Sequence, residues 1–72
     1  MSYNGHKNWN MWNVSLWINN DEGLYDLARD YVKRTRTKDI AASEMAKHLR
    51  GQKTPDGANY SKTAIRAAMV EM

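Results

Sequence analysis

Apolar residues recur every three or four positions through the second quarter of the chain, at Leu24, Leu27, Ala28 and Tyr31. This spacing places all four on one face of a helix. The helix is predicted to run from about residue 21 to residue 34, with Asn20 as its N-cap. Its first turn is acidic and its last turn is basic, which complements the helix dipole.

The same periodicity returns in two later segments. Residues 38–50 have an apolar stripe made of Ala42, Met45, Ala46 and Leu49. This stripe predicts a helix that Thr37 caps and that Gly51 ends in a left-handed conformation. A turn-rich connection, residues 52–59, follows and contains a Pro-Asp-Gly tight turn. Ser61 is then positioned to cap a last helix with the inner face Ile65, Ala68, Met69 and Met72.

The segment 11–18 fits two patterns. Alternate residues are apolar, as in a strand, but four of its apolar residues also share a helical face, Met11, Val14, Trp17 and Ile18. We predict a helix, because no other stretch has the pattern of a strand that could pair with it. A strand that pairs with a partner chain is the alternative. The polar residues 1–10 are predicted to form a flexible tail with a turn at Asn4-Gly5.

Together these elements predict an all-α fold. Residues 1–72 form a single domain of about four helices, and residues 38–72 form a hairpin that is similar to a helix-turn-helix. A domain of this size buries only about 60% of the surface that its unfolded chain exposes. The core is therefore expected to be thin.

Composition excludes several classes of protein. The chain has no Cys, so a disulfide-stabilised secreted scaffold is excluded. Only His6 and His48 could supply nitrogen ligands, so we expect no metal site, and no cofactor is indicated. No segment has the apolar core of a signal peptide or a membrane span. We expect a cytoplasmic protein that does not bind membranes.

Charge is distributed unevenly along the chain. Residues 1–31 contain two Lys or Arg against four Asp or Glu, whereas residues 32–72 contain nine against four. A basic half of this kind is typical of a surface that contacts phosphates, although basic surfaces also bind acidic proteins.

The sequence offers little for catalysis. Asp26 and Asp30 lie four residues apart on the outer face of the second helix, where a pair of carboxylates is usually just solvated. His48 lies among basic residues on a helix, and His6 is in the predicted tail. Neither arrangement supplies a nucleophile with a positioned base, so we expect that the protein is not an enzyme.

Three Trp occur within nine positions, at Trp9, Trp12 and Trp17. The simplest interpretation is that Trp12 and Trp17 form the core of a small domain. The functional interpretation is that this segment, with Trp9 and Trp12, is an exposed anchor for another protein. Base stacking is less favoured here, because this half of the chain is acidic.

The last two predicted helices have the features of a helix-turn-helix. The second helix would have a cap, an inner apolar face and an outer polar stripe made of Lys62, Thr63 and Arg66. In a helix-turn-helix, such a stripe faces the major groove of DNA. A plain helical hairpin with a solvated basic face is the alternative.

This region resembles the helix-turn-helix in the recombinase region of large serine recombinases. The likeness covers the last third of the chain and runs through Ala46-Lys47-His48-Leu49, Thr54-Pro55-Asp56-Gly57-Ala58-Asn59-Tyr60-Ser61 and Ile65. Tyr60 stands where that family has Trp, and the family's catalytic domain is absent. The resemblance implies DNA contact but not strand exchange.

The first half resembles the opening of a group of small proteins that phages and other mobile elements carry. The likeness lies in Trp12-Asn13-Val14-Ser15-Leu16-Trp17-Ile18-Asn19-Asn20-Asp21-Glu22-Gly23-Leu24-Tyr25. It implies a phage-type source but no particular activity.

The leading hypothesis is a small protein that binds duplex DNA. Residues Lys62, Thr63 and Arg66 would face the major groove, and phosphates would be contacted by Lys47, Arg50 and Lys53. Because so small a domain contacts little DNA, we expect a homodimer that forms through the Trp-rich helix. The rival hypothesis is a phage-encoded binder that inhibits or redirects a host protein through its aromatic segment.

Overall fold

The computed structural model describes residues 8–70 and residue 72. It contains four helices, α1 (Trp9–Asn20), α2 (Glu22–Arg34), α3 (Lys38–His48) and α4 (Lys62–Ala68). Each helix packs on the next one along the chain, and α4 also packs on α1. The helices thus form a closed ring, and the predicted all-α fold with four helices is confirmed.

The first helix begins earlier than predicted. The Asn8 side chain accepts a hydrogen bond from the backbone N–H of Met11, so α1 starts at Trp9. Residues 8–10 therefore do not belong to a flexible tail, as the sequence suggested. The predicted turn at Asn4-Gly5 and His6 lie outside the described residues. The choice of helix over strand for residues 11–18 is confirmed.

The helix caps show how short the junctions are. Asp21, and not Asn20 as predicted, caps α2, because its carboxylate accepts from the backbone N–H of Leu24 at 3.0 Å. Asn20 is the last residue of α1, and its side chain donates to the carbonyl of Leu16. The predicted caps Thr37 and Ser61 are confirmed, each accepting from the backbone N–H three residues ahead.

The third helix ends two residues earlier than predicted. Leu49 is its C-cap, and the chain then turns at Gly51, whose φ of 81° confirms the left-handed conformation expected there. Residues 49–61, which we call the connecting loop, lead to α4. A helix-turn-helix typically has a turn of about three or four residues, so this connection is much longer.

The core consists of alanine, larger aliphatic and methionine side chains, without an aromatic ring among its buried members. Its buried members come from all four helices and the connecting loop, and they are Val14, Ile18, Ala28, Ala41, Ala42, Met45, Leu49, Ala58, Ala64, Ile65, Ala68 and Met69. The expectation that Trp12 and Trp17 form the core is wrong, since both are half-buried. Alanines on the facing sides of α3 and α4 let these short helices lie close together, so the core does not need large rings.

Candidate nucleic-acid interface

A hydrogen-bond network joins α1 to the connecting loop. The buried Asn13 side chain donates through Nδ2 to Oδ2 of Asp56 at 2.9 Å and accepts through Oδ1 from the Thr54 hydroxyl at 2.6 Å. The indole N–H of Trp17 donates to the same carboxylate oxygen of Asp56 at 2.9 Å. We call Asn13, Trp17, Thr54 and Asp56 the Asn13 network.

Hydrogen bonds within the loop continue this network. The hydroxyl of Thr54 also accepts from the backbone N–H of Ala58 at 3.0 Å, and the N–H of Gly57 donates to the Thr54 carbonyl at 2.8 Å. Gly57 has a φ of 92°, which side chains other than Gly rarely allow. The predicted Pro-Asp-Gly tight turn is therefore confirmed, and α1 holds it in place.

A second amide on α1 binds the other end of the turn. Asn10 accepts from the backbone N–H of Asn59 at 2.8 Å and donates to its carbonyl at 3.0 Å. Asn59 in turn forms an antiparallel β-bridge with Lys53. Because both sides of the turn are fixed, the backbone position of Lys53 is fixed as well.

The carboxylate of Asp56 is stabilised in its charged form. The hydrogen bond from Asn13, followed by the one from Trp17, lowers the pKa of Asp56 below its ordinary value, and slight desolvation opposes the shift. Asp56 therefore accepts both hydrogen bonds as an anion at neutral pH.

The predicted outer stripe of α4 is only partly free. Thr63 is exposed, whereas Arg66 is half-buried. Lys62 is exposed but pairs with Asp39 of α3, with 3.0 Å between Nζ and Oδ2. An exposed ion pair of this kind contributes about 0–1 kcal/mol, so Lys62 can exchange Asp39 for another anion at little cost.

The phosphate contacts predicted at the end of α3 are more accessible. Lys47, Arg50 and Lys53 are all exposed. Lys47 lies 4.0 Å from Glu44, at the limit of an ion pair, and neither Arg50 nor Lys53 pairs with a carboxylate within residues 8–70. We call Lys47, Arg50, Lys53 and Lys62 the basic surface.

An open cleft of about 230 Å³ lies between the end of α3, the connecting loop and the residues before α4. Ala46 and Leu49 contribute apolar surface, and Tyr60 contributes an aromatic ring. Arg50 and Lys53 also line it. The cleft thus brings together two of the predicted phosphate contacts, and Ser61, which caps α4, is part of the same wall.

A further contact connects the end of α3 to α2. The rings of Tyr31 and His48 lie 6.3 Å apart, and the guanidinium of Arg34 lies over Tyr31 at 4.6 Å. Positive charge from the last turn of α2 is therefore close to the C-terminal end of α3.

The residues predicted to bind another protein, Trp9 and Trp12, lie on α1, which carries none of the cations of the basic surface. Trp9 is 40% exposed and Leu16 is 37% exposed, and both are on α1. Trp12, between them on the same side of the helix, is half-buried. Since α1 contains no charged residue, this side, the α1 face, is apolar and amide-rich.

No group of three or more His, Cys, Asp or Glu in residues 8–70 and 72 could hold a metal ion. Within the same range, no helix is both long and apolar enough to span a bilayer. The two carboxylates considered for catalysis, Asp26 and Asp30, are both exposed, and Asp30 pairs with Arg34 at 2.9 Å.

Comparison with known sequences places the chain in a family. A family model described as "Family of unknown function (DUF7249)" matches residues 1–72. The chain belongs to DUF7249. Comparison of this DUF7249 chain with curated proteins and with solved structures gives no match.

Sequence reasoning missed the polar contacts that organise this DUF7249 chain. Asn10 fell in the predicted N-terminal tail, Trp17 was expected in the core, and Asp56 appeared as a turn residue. One signal was visible, because Asn13 occurs among apolar residues in the segment 11–18. A polar residue at a buried position needs a hydrogen-bond partner, and here that partner is the loop.

Proposed function

We propose that this protein binds duplex DNA through the basic surface. The observation that carries the proposal is that Arg50 and Lys53 are exposed, lack carboxylate partners among residues 8–70, and lie on one cleft beside the start of α4. Cations that are held on a rigid backbone but not neutralised are suited to phosphate oxygens. The likeness to the helix-turn-helix of serine recombinases supports the same partner.

In this proposal, phosphate contacts supply most of the affinity. If Lys47, Arg50, Lys53 and Lys62 each contact one phosphate, the association constant should fall about 100-fold between about 50 and 200 mM salt. Lys62 would leave Asp39 to do so. The position of Lys53 depends on Asn10 and Asn59, so α1 supports binding without touching DNA.

Thr63 and Arg66 would read base edges from α4. A well-aligned Arg on guanine contributes about 1–3 kcal/mol of discrimination. Because α4 has seven residues, it offers only two turns to the major groove, and sequence preference is expected to be modest. A protein acting on DNA in this way would work in the cytoplasm of a phage host, in line with the likeness to phage-borne proteins.

The test is a fluorescence-anisotropy titration with short mixed-sequence duplex DNA at low and moderate salt. Arg50→Ala and Lys53→Ala should each weaken binding several-fold and reduce the salt slope by about one. Arg29→Ala is the matched control, because it removes the same charge from an exposed position on α2. No binding of the wild type at low salt, or equal losses for all three variants, would contradict the proposal.

A second candidate function is binding to a host protein through the α1 face. The observation that favours it is that exposed Trp9 and Leu16 lie on a helix without any charge, although charged residues are frequent in the rest of the chain. Exposed Trp residues often dominate the energy of protein interfaces.

Two measurements separate this candidate from DNA binding. Trp9→Ala should abolish capture of a host protein from a lysate and leave DNA affinity unchanged, and the capture should be insensitive to salt. A homodimer through the same face would appear as self-association of the pure protein in sedimentation, with Trp9→Ala monomeric.

A further inference from the structure

The cleft beside α4 combines three kinds of surface that the proposed DNA contact does not require. Its floor is apolar, from Ala46 and Leu49, and one wall is the ring of Tyr60. Arg50 and Lys53 supply positive charge along the same cleft. A phosphate would contact only the two cations, so the aromatic and apolar parts of the lining are left to contact another part of a nucleotide.

The ring of Tyr60 is held in place. It is half-buried and packs against the hydrophobic core, so its orientation is restricted before any ligand binds. Burial, and to a lesser extent the negative charge of Asp21, raises the pKa of Tyr60 above its ordinary value. A tyrosine hydroxyl is already neutral at physiological pH, and the shift acts in the same direction, so the ring is compatible with a stacked neutral base.

The size of the cleft limits what can enter. Its volume of about 230 Å³ is below the range of about 300–1,000 Å³ that is typical of sites for drug-sized ligands. A single ring system fits this space better than a peptide segment or a dinucleotide does. A base in a nucleic-acid strand is a planar ring with a phosphate on each side. Such a group matches an aromatic wall with two cations at its edge.

We propose that the cleft receives one unpaired base of a bound DNA strand, with the base on Tyr60 and the adjacent phosphates on Arg50 and Lys53. The inference rests on the proposed function, since the basic surface must bring the DNA to the cleft. Bases in an intact duplex are stacked and paired, so only a bulged, flipped or single-stranded base can enter. The protein should therefore prefer DNA that has such a base.

The experiment compares two short duplexes that differ only in one bulged nucleotide, 2-aminopurine. We expect the wild type to bind the bulged duplex about ten-fold more tightly than the paired one, within the range known for stacking on an aromatic side chain. The 2-aminopurine emission should change on binding, because the base moves from the DNA to the ring of Tyr60.

Three variants make the test specific. Tyr60→Leu should lose the preference for the bulged duplex but keep the affinity for the paired duplex, and Tyr60→Phe should retain both. Ala46→Leu fills the floor of the cleft without altering Tyr60, so it should also remove the preference. Circular dichroism of each variant confirms that the helices are intact.

The possible failures are distinguishable. Binding of the paired duplex without a preference for the bulge overturns the cleft inference and leaves the proposed function standing. A preference that survives both Tyr60→Leu and Ala46→Leu also overturns it, because the base then binds elsewhere. If neither duplex binds at low salt, the proposed function itself fails.

Discussion

The connecting loop and the helix that follows it, α4, are held to the rest of the molecule by different kinds of interaction. Toward α1, the loop is held by side-chain hydrogen bonds, above all those of Asn13 and Asp56. Beyond the loop, α4 is held on α3 by apolar packing around Met45 and Ile65, with one exposed ion pair at the edge. The first contact is directional and fixes where the loop lies. The second is non-directional and supplies most of the stability.

This difference assigns a role to a helix that carries no charge. The basic surface lies on α3, the loop and the start of α4, yet the polar groups that fix the loop come from α1. Loss of packing should unfold the domain, whereas loss of the hydrogen bonds should mainly free the loop. Substitutions on the two sides can therefore separate stability from the shape of the candidate interface.

The largest effect is expected from the apolar side. Met45 is fully buried, and Met45→Ala removes its side chain and leaves a cavity, which should lower the free energy of unfolding by about 2–5 kcal/mol. Urea unfolding followed by circular dichroism measures the change. Met45→Leu keeps the volume and should cost less than about 1.5 kcal/mol. Equal effects of the two variants would show that packing at Met45 is not decisive.

A smaller loss is expected from the directional side. Asn13→Ala leaves the Thr54 hydroxyl without its acceptor and Asp56 without one donor, which should cost about 1–3 kcal/mol. Asn19→Ala is the matched control, since Asn19 is on the same helix but exposed, and it should change stability by less than about 0.5 kcal/mol.

Amide hydrogen exchange distinguishes a freed loop from general unfolding. In Asn13→Ala, the N–H groups of Gly57 and Ala58, which bond to Thr54, should exchange faster than in the wild type. The exchange rates of amides in the middle of α2 should rise only as much as the global loss of stability predicts. If both regions accelerate equally, the idea that the network acts locally on the loop is wrong.

Acid should weaken the contact between Asp56 and the side chains of Asn13 and Trp17 on α1. Since the pKa of Asp56 is lowered in the folded protein, the unfolded chain takes up the proton first as the pH falls. The stabilisation by Asp56 is thus fully present above its ordinary pKa of 3.8 and is lost as the pH falls through the lower folded value. The difference in urea midpoint between the wild type and Asp56→Asn should be largest near neutral pH and shrink below about pH 4.

Asp26→Asn provides the control for this experiment, because Asp26 is an exposed carboxylate on α2 outside the network. Its midpoint should follow that of the wild type at every pH. A difference between wild type and Asp56→Asn that stays constant down to low pH would show that the charge of Asp56 does not contribute.

The sequence predicted the parts of this fold that depend on local pattern. Helix periodicity located α2, α3 and α4, and the caps Thr37 and Ser61 followed from residues adjacent in the chain. The cap of α2 was misassigned by one residue, because Asn20 and Asp21 are both good caps and only the extent of α1 decides between them. Asn20 is the last residue of α1, so Asp21 is left to cap α2.

The network between α1 and the loop was not predictable, because its partners are about forty residues apart in the chain. Periodicity identifies which face of a helix is buried, but not which distant loop lies against it. The same limit applies to the cleft. Arg50 and Tyr60 lie at opposite ends of the connecting loop, and only the path of that loop makes them neighbours.

The smallest effect on stability is expected at the ion pair between Lys62 and Asp39. Both side chains are largely exposed, so a double-mutant cycle with Lys62→Ala and Asp39→Ala should give a coupling of at most about 1 kcal/mol. DNA affinity should respond more clearly, and in opposite directions. Lys62→Ala removes a phosphate contact, whereas Asp39→Ala releases Lys62 and removes a nearby negative charge.

The salt dependence tells these roles apart. Lys62→Ala should reduce the slope of log affinity against log salt by about one, and Asp39→Ala should leave the slope the same or make it steeper. If Lys62→Ala leaves both affinity and slope unchanged, Lys62 serves only to hold α4 against α3. The candidate interface would then be limited to the end of α3 and the loop, the part whose position α1 determines.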